Sequence, residues 1–201
     1  MEESAMQNHP MSLYTREGQR KYLNQIERLR FLGATKEQEM DVQLFCQLLY
    51  YTGARIAEIH NLALQNIDSS NGTVIIESLK KRRKGVFREI PIPDFLMENI
   101  KRYAKRMRLQ IKERLWWFSL RTATRKIKSV MILANIKGIR SSSKSLRHGF
   151  AVHAVTIAPL TMVKKWLGHS RLETTEIYLN IVGAEEREIM KRIWEPAELF
   201  N

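Results

Sequence analysis

The chain has 201 residues and a net charge of +13, with 34 lysines and arginines against 21 acidic residues. Its hydrophobic content of 44% is typical of one globular domain with a buried core. The sequence contains no signal peptide and no apolar run that would span a membrane, and its single cysteine excludes an internal disulfide and fits a reducing cytoplasm.

The amino-terminal part of the chain predicts a short tail and two helices. Residues 1–12 are polar, and we expect them to form a flexible tail. The apolar residues of the first helix repeat at helical spacing, and they are Tyr22, Leu23, Ile26 and Leu29. The sequence Thr-Lys-Glu-Gln at residues 35–38 predicts a capping box for a second helix, which runs to about Tyr51. Gly53 then ends that helix and would let Arg55 point back toward a common site.

The middle of the chain predicts two strands. Residues 73–79 and 86–92 are β-rich and flank the basic sequence at 81–85, a pattern that predicts an antiparallel hairpin. Further helices are predicted at residues 56–62, from Asp94 onward, at 123–133 and 145–155, around Val163 and Trp166, and at 173–179 and 183–194. The predicted fold class is therefore mainly α with a small antiparallel β-sheet, an α+β fold.

The positive charge is concentrated in one segment. Between Lys80 and Lys144 there are 20 basic residues and 4 acidic ones, a local net charge of +16. Such a segment favours a polyanionic partner whose phosphates it can neutralise, although a basic surface that only keeps the protein soluble is the alternative. The residues that we select as candidate DNA contacts are Lys81, Arg82, Arg83, Lys84, Arg125 and Lys126.

Four short motifs contain residues suited to chemistry on a phosphodiester. They are Thr52-Gly-Ala-Arg55, Lys144-Ser-Leu-Arg147, Leu167-Gly-His169-Ser and Thr174-Thr-Glu-Ile-Tyr178. The planar guanidinium groups of Arg55 and Arg147 can each bind two phosphate oxygens, and Tyr178 can act as a nucleophile once its proton is removed. The histidines lack paired ligand spacing and no carboxylate cluster accompanies them, so we expect chemistry that does not depend on a metal.

These motifs, in this order and with a basic hairpin between the first two, resemble the catalytic domain of tyrosine recombinases, the phage integrase family. The resemblance runs from about residue 10 to the end. It implies that Tyr178 attacks the scissile phosphate to form a 3′-phosphotyrosyl link and that Arg55 and Arg147 bind this phosphate. It also implies that His169 donates a hydrogen bond to the phosphate or assists proton movement, and that no cofactor is used.

Two lysines fill the remaining positions of the family's site. The family places a lysine in the β-hairpin as general acid for the leaving hydroxyl; Lys80 matches it, and Lys81 is close enough to compete. Lys144 stands where most members have histidine, and a lysine there would act as a donor and charge stabiliser more naturally than as a general base. His148, directly after Arg147, is expected to have a structural or supporting role.

The resemblance further predicts the organisation and partners of the chain. Residues 13–201 would form the tyrosine recombinase catalytic domain, without the separate N-terminal core-binding domain of most members. The expected partners are double-stranded DNA with specific recombination sites, further copies of the chain in a homotetramer on synapsed DNA, and, as an open alternative, an accessory protein. A DNA-binding accessory or regulatory protein that keeps the fold without productive strand exchange is the other class of function.

Overall fold

The computed structural model describes residues 12–79, 85–179 and 190. Over these ranges the chain forms helices and one antiparallel sheet, and the elements are α1 Gln25–Thr35, α2 Met40–Thr52, α3 Ile56–His60, β1 Ile67–Asp68, β2 Thr73–Glu77, β3 Phe87–Pro91, α4 Asp94–Arg106, α5 Leu120–Leu133, α6 Ser143–Val155, α7 Leu160–Leu167 and α8 Glu173–Glu176. The predicted fold class is confirmed. In the described part of the chain no helix has the length and apolar character to cross a membrane.

The first helix starts later than predicted and buries a different face. Its start is set by Asn24, whose side chain accepts a hydrogen bond from the Glu27 amide while the Glu27 carboxylate accepts one from the Asn24 amide. Of the four apolar residues with helical spacing, Tyr22 and Leu23 are buried, whereas Ile26 and Leu29 are 67% and 52% exposed. Phe31 faces the core instead.

The capping box predicted at residues 35–38 is also wrong. Thr35 is the last residue of α1, and its hydroxyl donates to the Leu32 carbonyl at 2.7 Å. The second helix begins only at Met40, after a tight turn that continues from the end of α1. A threonine hydroxyl that donates to a carbonyl of its own helix does not cap the next helix, and Thr35 bonds in this way.

Gly53 ends α2, as predicted. Its φ of 60° is left-handed, and its amide donates to the Leu49 carbonyl at 3.1 Å. A Cβ atom at this position would overlap the Phe150 ring, so the turn needs glycine for space as well as for conformation. The turn places Arg55 at the start of α3.

The substitution Gly53→Ala is expected to lower the free energy of unfolding by about 2 kcal/mol or more, because a left-handed φ and an overlap with a packed ring each cost about 1 kcal/mol. Gly33→Ala is the matched control: Gly33 lies exposed within α1, and no atom of another residue would crowd an added methyl group there. That change should raise stability by about 0.5–1 kcal/mol. Urea unfolding measures both, and an unchanged midpoint for Gly53→Ala would contradict the expectation.

The predicted hairpin is confirmed in its strands. β2 and β3 pair antiparallel, with Thr73 opposite Pro91 and Glu77 opposite Phe87. A short strand that the sequence did not predict, β1, pairs with the other edge of β2. Residues 80–84 lie outside the described residues, and with them the predictions for Lys80, Lys81, Arg82, Arg83 and Lys84.

Two groups of buried side chains meet at α6. The larger core combines α1 to α5 with the sheet, and α2 packs against each of the other helices in this group and against α6. The smaller one joins the amino-terminal segment to α6, α7 and Tyr178. Leu146 belongs to the first and Ala151 to the second. Arg147, between them in sequence, is thereby held where the two cores meet.

Candidate active site

Arg147 is a buried cation whose orientation is set by three hydrogen bonds. Its Nη1 donates to the Gly53 carbonyl at 2.7 Å, and its Nη2 donates to the Leu167 carbonyl at 2.8 Å and to His169 Nε2 at 3.0 Å. Burial, helped by the positive charge of Arg55, lowers the pKa of Arg147 to about 10, so the group remains charged at neutral pH. The guanidinium plane therefore cannot rotate without losing bonds to two buried carbonyls.

His169 reaches Arg147 because α7 ends in a left-handed glycine. Gly168 has a φ of 64°, and the chain then turns so that the His169 amide donates to the Lys164 carbonyl. Arginine only donates hydrogen bonds, so Nε2 of His169 accepts from Arg147 and the ring hydrogen lies on Nδ1. Nδ1 then donates to the Thr175 hydroxyl at 2.9 Å. These two bonds set the tautomer of the imidazole.

Tyr178 lies just beyond α8, since that helix ends at Glu176 and not at residue 179 as predicted. Its ring stacks on His169, with centroids 6.3 Å apart and planes 12° apart. The side chain is 1% exposed. Burial raises the pKa of Tyr178 to about 12, although the charges of Arg147 and Arg55 act in the opposite direction. In this arrangement the hydroxyl is a weak acid that is shielded from solvent.

The hydroxyl partner of Tyr178 is His148, a residue that was expected from the sequence to have only a supporting role. The distance from His148 Nδ1 to the Tyr178 oxygen is 2.9 Å. Burial, together with the charges of Lys144, Arg147 and Lys21, lowers the pKa of His148 to about 4, which makes it neutral at pH 7. The only signal for this contact in the sequence was the position of His148 on the same helix as Arg147.

Acid is expected to weaken the fold through His148. A folded-state pKa near 4 against an ordinary value of 6.5 means that its contribution is present above pH 6.5 and is lost as the pH falls toward 4. The loss would be about 3 kcal/mol at most. Urea unfolding between about pH 7 and about pH 4 should show a smaller loss for His148→Gln, which keeps a hydrogen-bonding side chain but does not titrate. Equal losses in the two proteins would contradict this assignment.

Arg55 and Lys144 are the accessible cations of the group. Arg55 Nη1 donates to Glu58 Oε1 at 2.9 Å, and the Arg55 side chain is 37% exposed. Its charge adds to the lowering of the Arg147 pKa by burial, and it opposes the rise that burial causes in the pKa of Tyr178. Lys144 lies in the first turn of α6 with an exposed side chain, one turn before His148.

A basic groove of about 740 Å³ adjoins His169. Its walls come from β3, from α7 and from the loop that follows α7, and its basic residues are Arg88, Lys164, Lys165 and Arg171. None of them was among the predicted DNA contacts, because those were chosen from the densest basic segment. His169 belongs both to this groove and to the cluster with Arg147 and Tyr178.

The two described residues from the predicted DNA-binding set lie on α5. Arg125 is exposed and bonds to the Thr122 hydroxyl, whereas the Lys126 ammonium lies 5.5 Å from the centre of the Phe118 ring. Lys126 therefore also contributes to packing. Among residues 12–79, 85–179 and 190, no group of three or more His, Cys, Asp and Glu side chains is placed to hold a metal ion.

Comparison with known sequences decides the family. The sequence profile of the phage integrase family matches residues 21–184. The chain belongs to the phage integrase family. Two similar members are the tyrosine recombinases XerA of Pyrococcus furiosus, 28% identical over 86% of this chain and 61% of that protein, and of Thermococcus onnurineus, 31% identical over 91% and 62%. This integrase-family chain thus spans about three fifths of the length of these relatives.

Several solved structures share the fold. A XerA recombinase superimposes with a TM-score of 0.73 at 22% identity, over 85% of this chain and 64% of that one. XerH bound to palindromic difH substrate in a post-cleavage complex gives 0.70 at 20% identity, over 89% and 53%. The catalytic domain of bacteriophage HP1 integrase gives 0.61 at 21% identity, over 85% of this chain and 93% of that domain. The described domain therefore has the tyrosine recombinase catalytic-domain architecture.

Proposed function

We propose that this phage integrase family member is a site-specific DNA recombinase that cleaves and rejoins strands through a 3′-phosphotyrosyl intermediate. The observation that carries the proposal is the grouping of one phenol, one imidazole and two guanidinium groups from four separate segments of the chain. The membership in a family with members named tyrosine recombinases supports the same activity.

In this proposal Arg147 and Arg55 hold the scissile phosphate. Within the described part of the chain, three of the five N–H groups of Arg147 bond to protein, which leaves two for phosphate oxygens. Arg55 adds an accessible guanidinium from the start of α3. Fixed cations that meet the charge developing on the non-bridging oxygens stabilise the transition state without reorganisation.

The nucleophile must leave its resting contact before it can react. Tyr178 would give up the hydrogen bond to His148 and the shielding of its hydroxyl, then form the P–O bond as its proton passes to solvent water. The 5′ oxygen of the DNA leaves and takes up a proton, for which we propose Lys80 as the donor, with Lys81 as the alternative. Lys144 would add positive charge beside the phosphate.

The role of His169 follows from its tautomer. Its Nε2 accepts from Arg147, so it can donate to a phosphate from that atom only after it takes up a proton there. A proton gained at Nε2 would break the bond to Arg147 and free one more guanidinium hydrogen for the substrate. We therefore propose that the hydrogen bond between Arg147 and His169 Nε2 is exchanged for bonds to the phosphate when DNA binds.

We propose double-stranded DNA with specific sites as the substrate, with a homotetramer on two synapsed sites as the assembly for strand exchange and an accessory protein as an optional partner. The XerH structures contain difH substrate, which makes DNA the natural ligand to test. The proposed phosphate contacts are Lys164, Lys165 and Arg171 of the basic groove beside His169, together with the basic residues at 81–84 and on α5. Affinity should fall steeply with added salt.

The test uses nicked DNA duplexes that carry candidate sites, in which the freed strand diffuses away and traps the intermediate. A covalent protein–DNA adduct on denaturing gels, formed without added metal and sensitive to protease, is the expected result. Binding of the same duplexes without any adduct across all sites would favour the accessory or regulatory function. Relaxation of supercoiled plasmid by a monomer, with no synapsis, would favour a topoisomerase.

A further inference from the structure

We propose that Arg88 is a positioning residue for this reaction, a buried guanidinium that ties the Glu58 partner of Arg55 to the loop that carries His169. The inference rests on the proposed function for its catalytic consequence. Its structural content, a tether between two halves of the site, can be tested without DNA.

Arg88 lies on the inward face of β3 beside apolar neighbours. Strand residues alternate between faces, and Arg88 shares the buried face with Ile90, although it is charged. It is 8% exposed. A buried charge persists only where its hydrogen bonds are satisfied, so the partners of Arg88 define what it does.

One side of Arg88 holds a carboxylate. Its Nη2 donates to Glu58 Oε2 at 2.6 Å, and its Nη1 lies 3.4 Å from Glu58 Oε1. The same carboxylate accepts from the Arg55 amide at 2.8 Å and from Arg55 Nη1 at 2.9 Å. Burial acts to raise the pKa of Glu58, but the bonds and charges of Arg88 and Arg55 outweigh burial and lower it. Glu58 therefore stays ionised between two arginines.

Because Arg88 and Arg55 share the Glu58 carboxylate, Arg88 affects the positive charge that Arg55 can offer to the phosphate. Arg88 compensates much of the Glu58 charge, so Arg55 is oriented by the carboxylate without being its sole counter-ion. If Arg88 is lost, the buried carboxylate has only Arg55 as a cationic partner among the contacts described, and Arg55 is drawn away from the phosphate. The positive charge available to the substrate then falls.

The other side of Arg88 holds the loop after α7. Its Nε donates to the Trp166 carbonyl at 2.8 Å. A Cβ atom on Gly168 would lie 2.9 Å from Arg88 Nη1, so the guanidinium packs directly on the turn that precedes His169. One side chain thus connects α3, which Arg55 begins, to the His169 loop, across 78 residues of sequence to Trp166.

The first measurement is amide hydrogen exchange on the full chain without DNA. In Arg88→Lys, which keeps the charge but cannot make the paired bonds to Glu58 and also reach Trp166, exchange at Gly168 and His169 should rise by about tenfold, while amides of α4 keep their rates. Arg30→Lys, an exposed arginine on α1, is the control and should change neither. Unchanged exchange at Gly168 and His169 in Arg88→Lys would overturn the tether, whatever the protein does to DNA.

The second measurement is the single-turnover cleavage rate at saturating DNA, together with the Kd. Arg88→Lys should slow adduct formation by about tenfold and Arg88→Met by about a hundredfold, with the Kd changed by no more than about threefold. Glu58→Gln added to Arg88→Met should recover part of the lost rate, because the uncompensated carboxylate is gone. If the rate losses of Glu58→Gln and Arg88→Met simply multiply in the double variant, the positioning role is overturned and general damage to the fold is indicated. If a weaker Kd accounts for the slower rate, Arg88 contacts DNA directly and the positioning role is likewise overturned. If the unmodified protein forms no adduct, the proposed function fails, and the exchange experiment still decides the tether.

Discussion

Tyr178→Phe is expected to abolish the covalent adduct with DNA completely while DNA binding stays within about twofold, because the change removes only the oxygen that forms the P–O bond. The adduct is read on denaturing gels with trapped substrates, and binding by fluorescence anisotropy. Residual adduct formation by Tyr178→Phe would show that another group is the nucleophile. The loss should exceed that of any other single substitution in the site.

The fold should survive this change at a small cost. The Tyr178 hydroxyl is bonded to His148, and its removal leaves one buried imidazole nitrogen without that partner, a cost of about 1–2 kcal/mol. Tyr51→Phe is a control, since it deletes the hydroxyl of a partly buried tyrosine on α2. It should form adduct at the unmodified rate. A thermal scan of each variant separates loss of chemistry from loss of structure.

Arg147→Lys is the second large effect, with cleavage expected to fall by a factor of about 10²–10³. Lysine keeps a positive charge, but its single ammonium cannot bond to the Gly53 and Leu167 carbonyls and also present a planar fork to the phosphate. A rate near that of the unmodified protein would mean that charge alone is sufficient and that the fork geometry is unimportant.

The melting temperature of each Arg147 variant has to be measured together with its cleavage rate. Arg147 bonds to two buried carbonyls, and each one left unpaired costs about 1–3 kcal/mol, so Arg147→Ala would mix unfolding with loss of catalysis. Arg55→Ala gives the complementary comparison, because the Arg55 side chain is partly exposed and supports less of the fold. We expect it to slow cleavage by about a hundredfold with a smaller change in melting temperature. Equal rates for Arg55→Ala and the unmodified protein would remove Arg55 from the phosphate site.

Several elements of the fold were predictable because their signals are local. Gly53 ends α2 since only glycine readily takes the left-handed turn, and the run of β-branched residues from Thr73 to Ile76 in β2 favours a strand that needs a partner. The exposure of Ile26 and Leu29 could not be predicted, for the opposite reason. Helical spacing shows which residues share a face, but which face meets the core depends on the position of α2 and α5.

By itself, the sequence determined the chemical groups of the candidate site and their order, because each motif joins a side chain suited to the proposed chemistry to the turn that presents it: Arg55 after Gly53, His169 after Gly168, and Tyr178 after Thr175. It also determined the class of fold. Only the tertiary structure decided which side chains accompany these groups.

His148 meets the Tyr178 hydroxyl, and Arg88 meets Glu58, each across 30 residues of chain. A hydrogen bond requires two atoms within about 3 Å, and separation along the sequence does not set that distance. Packing of α6 against α7, of β3 against α7 and of α3 against β2 sets it instead. The resting burial of Tyr178 is likewise a property of the packed fold, since the same tyrosine in an exposed turn would keep its ordinary acidity.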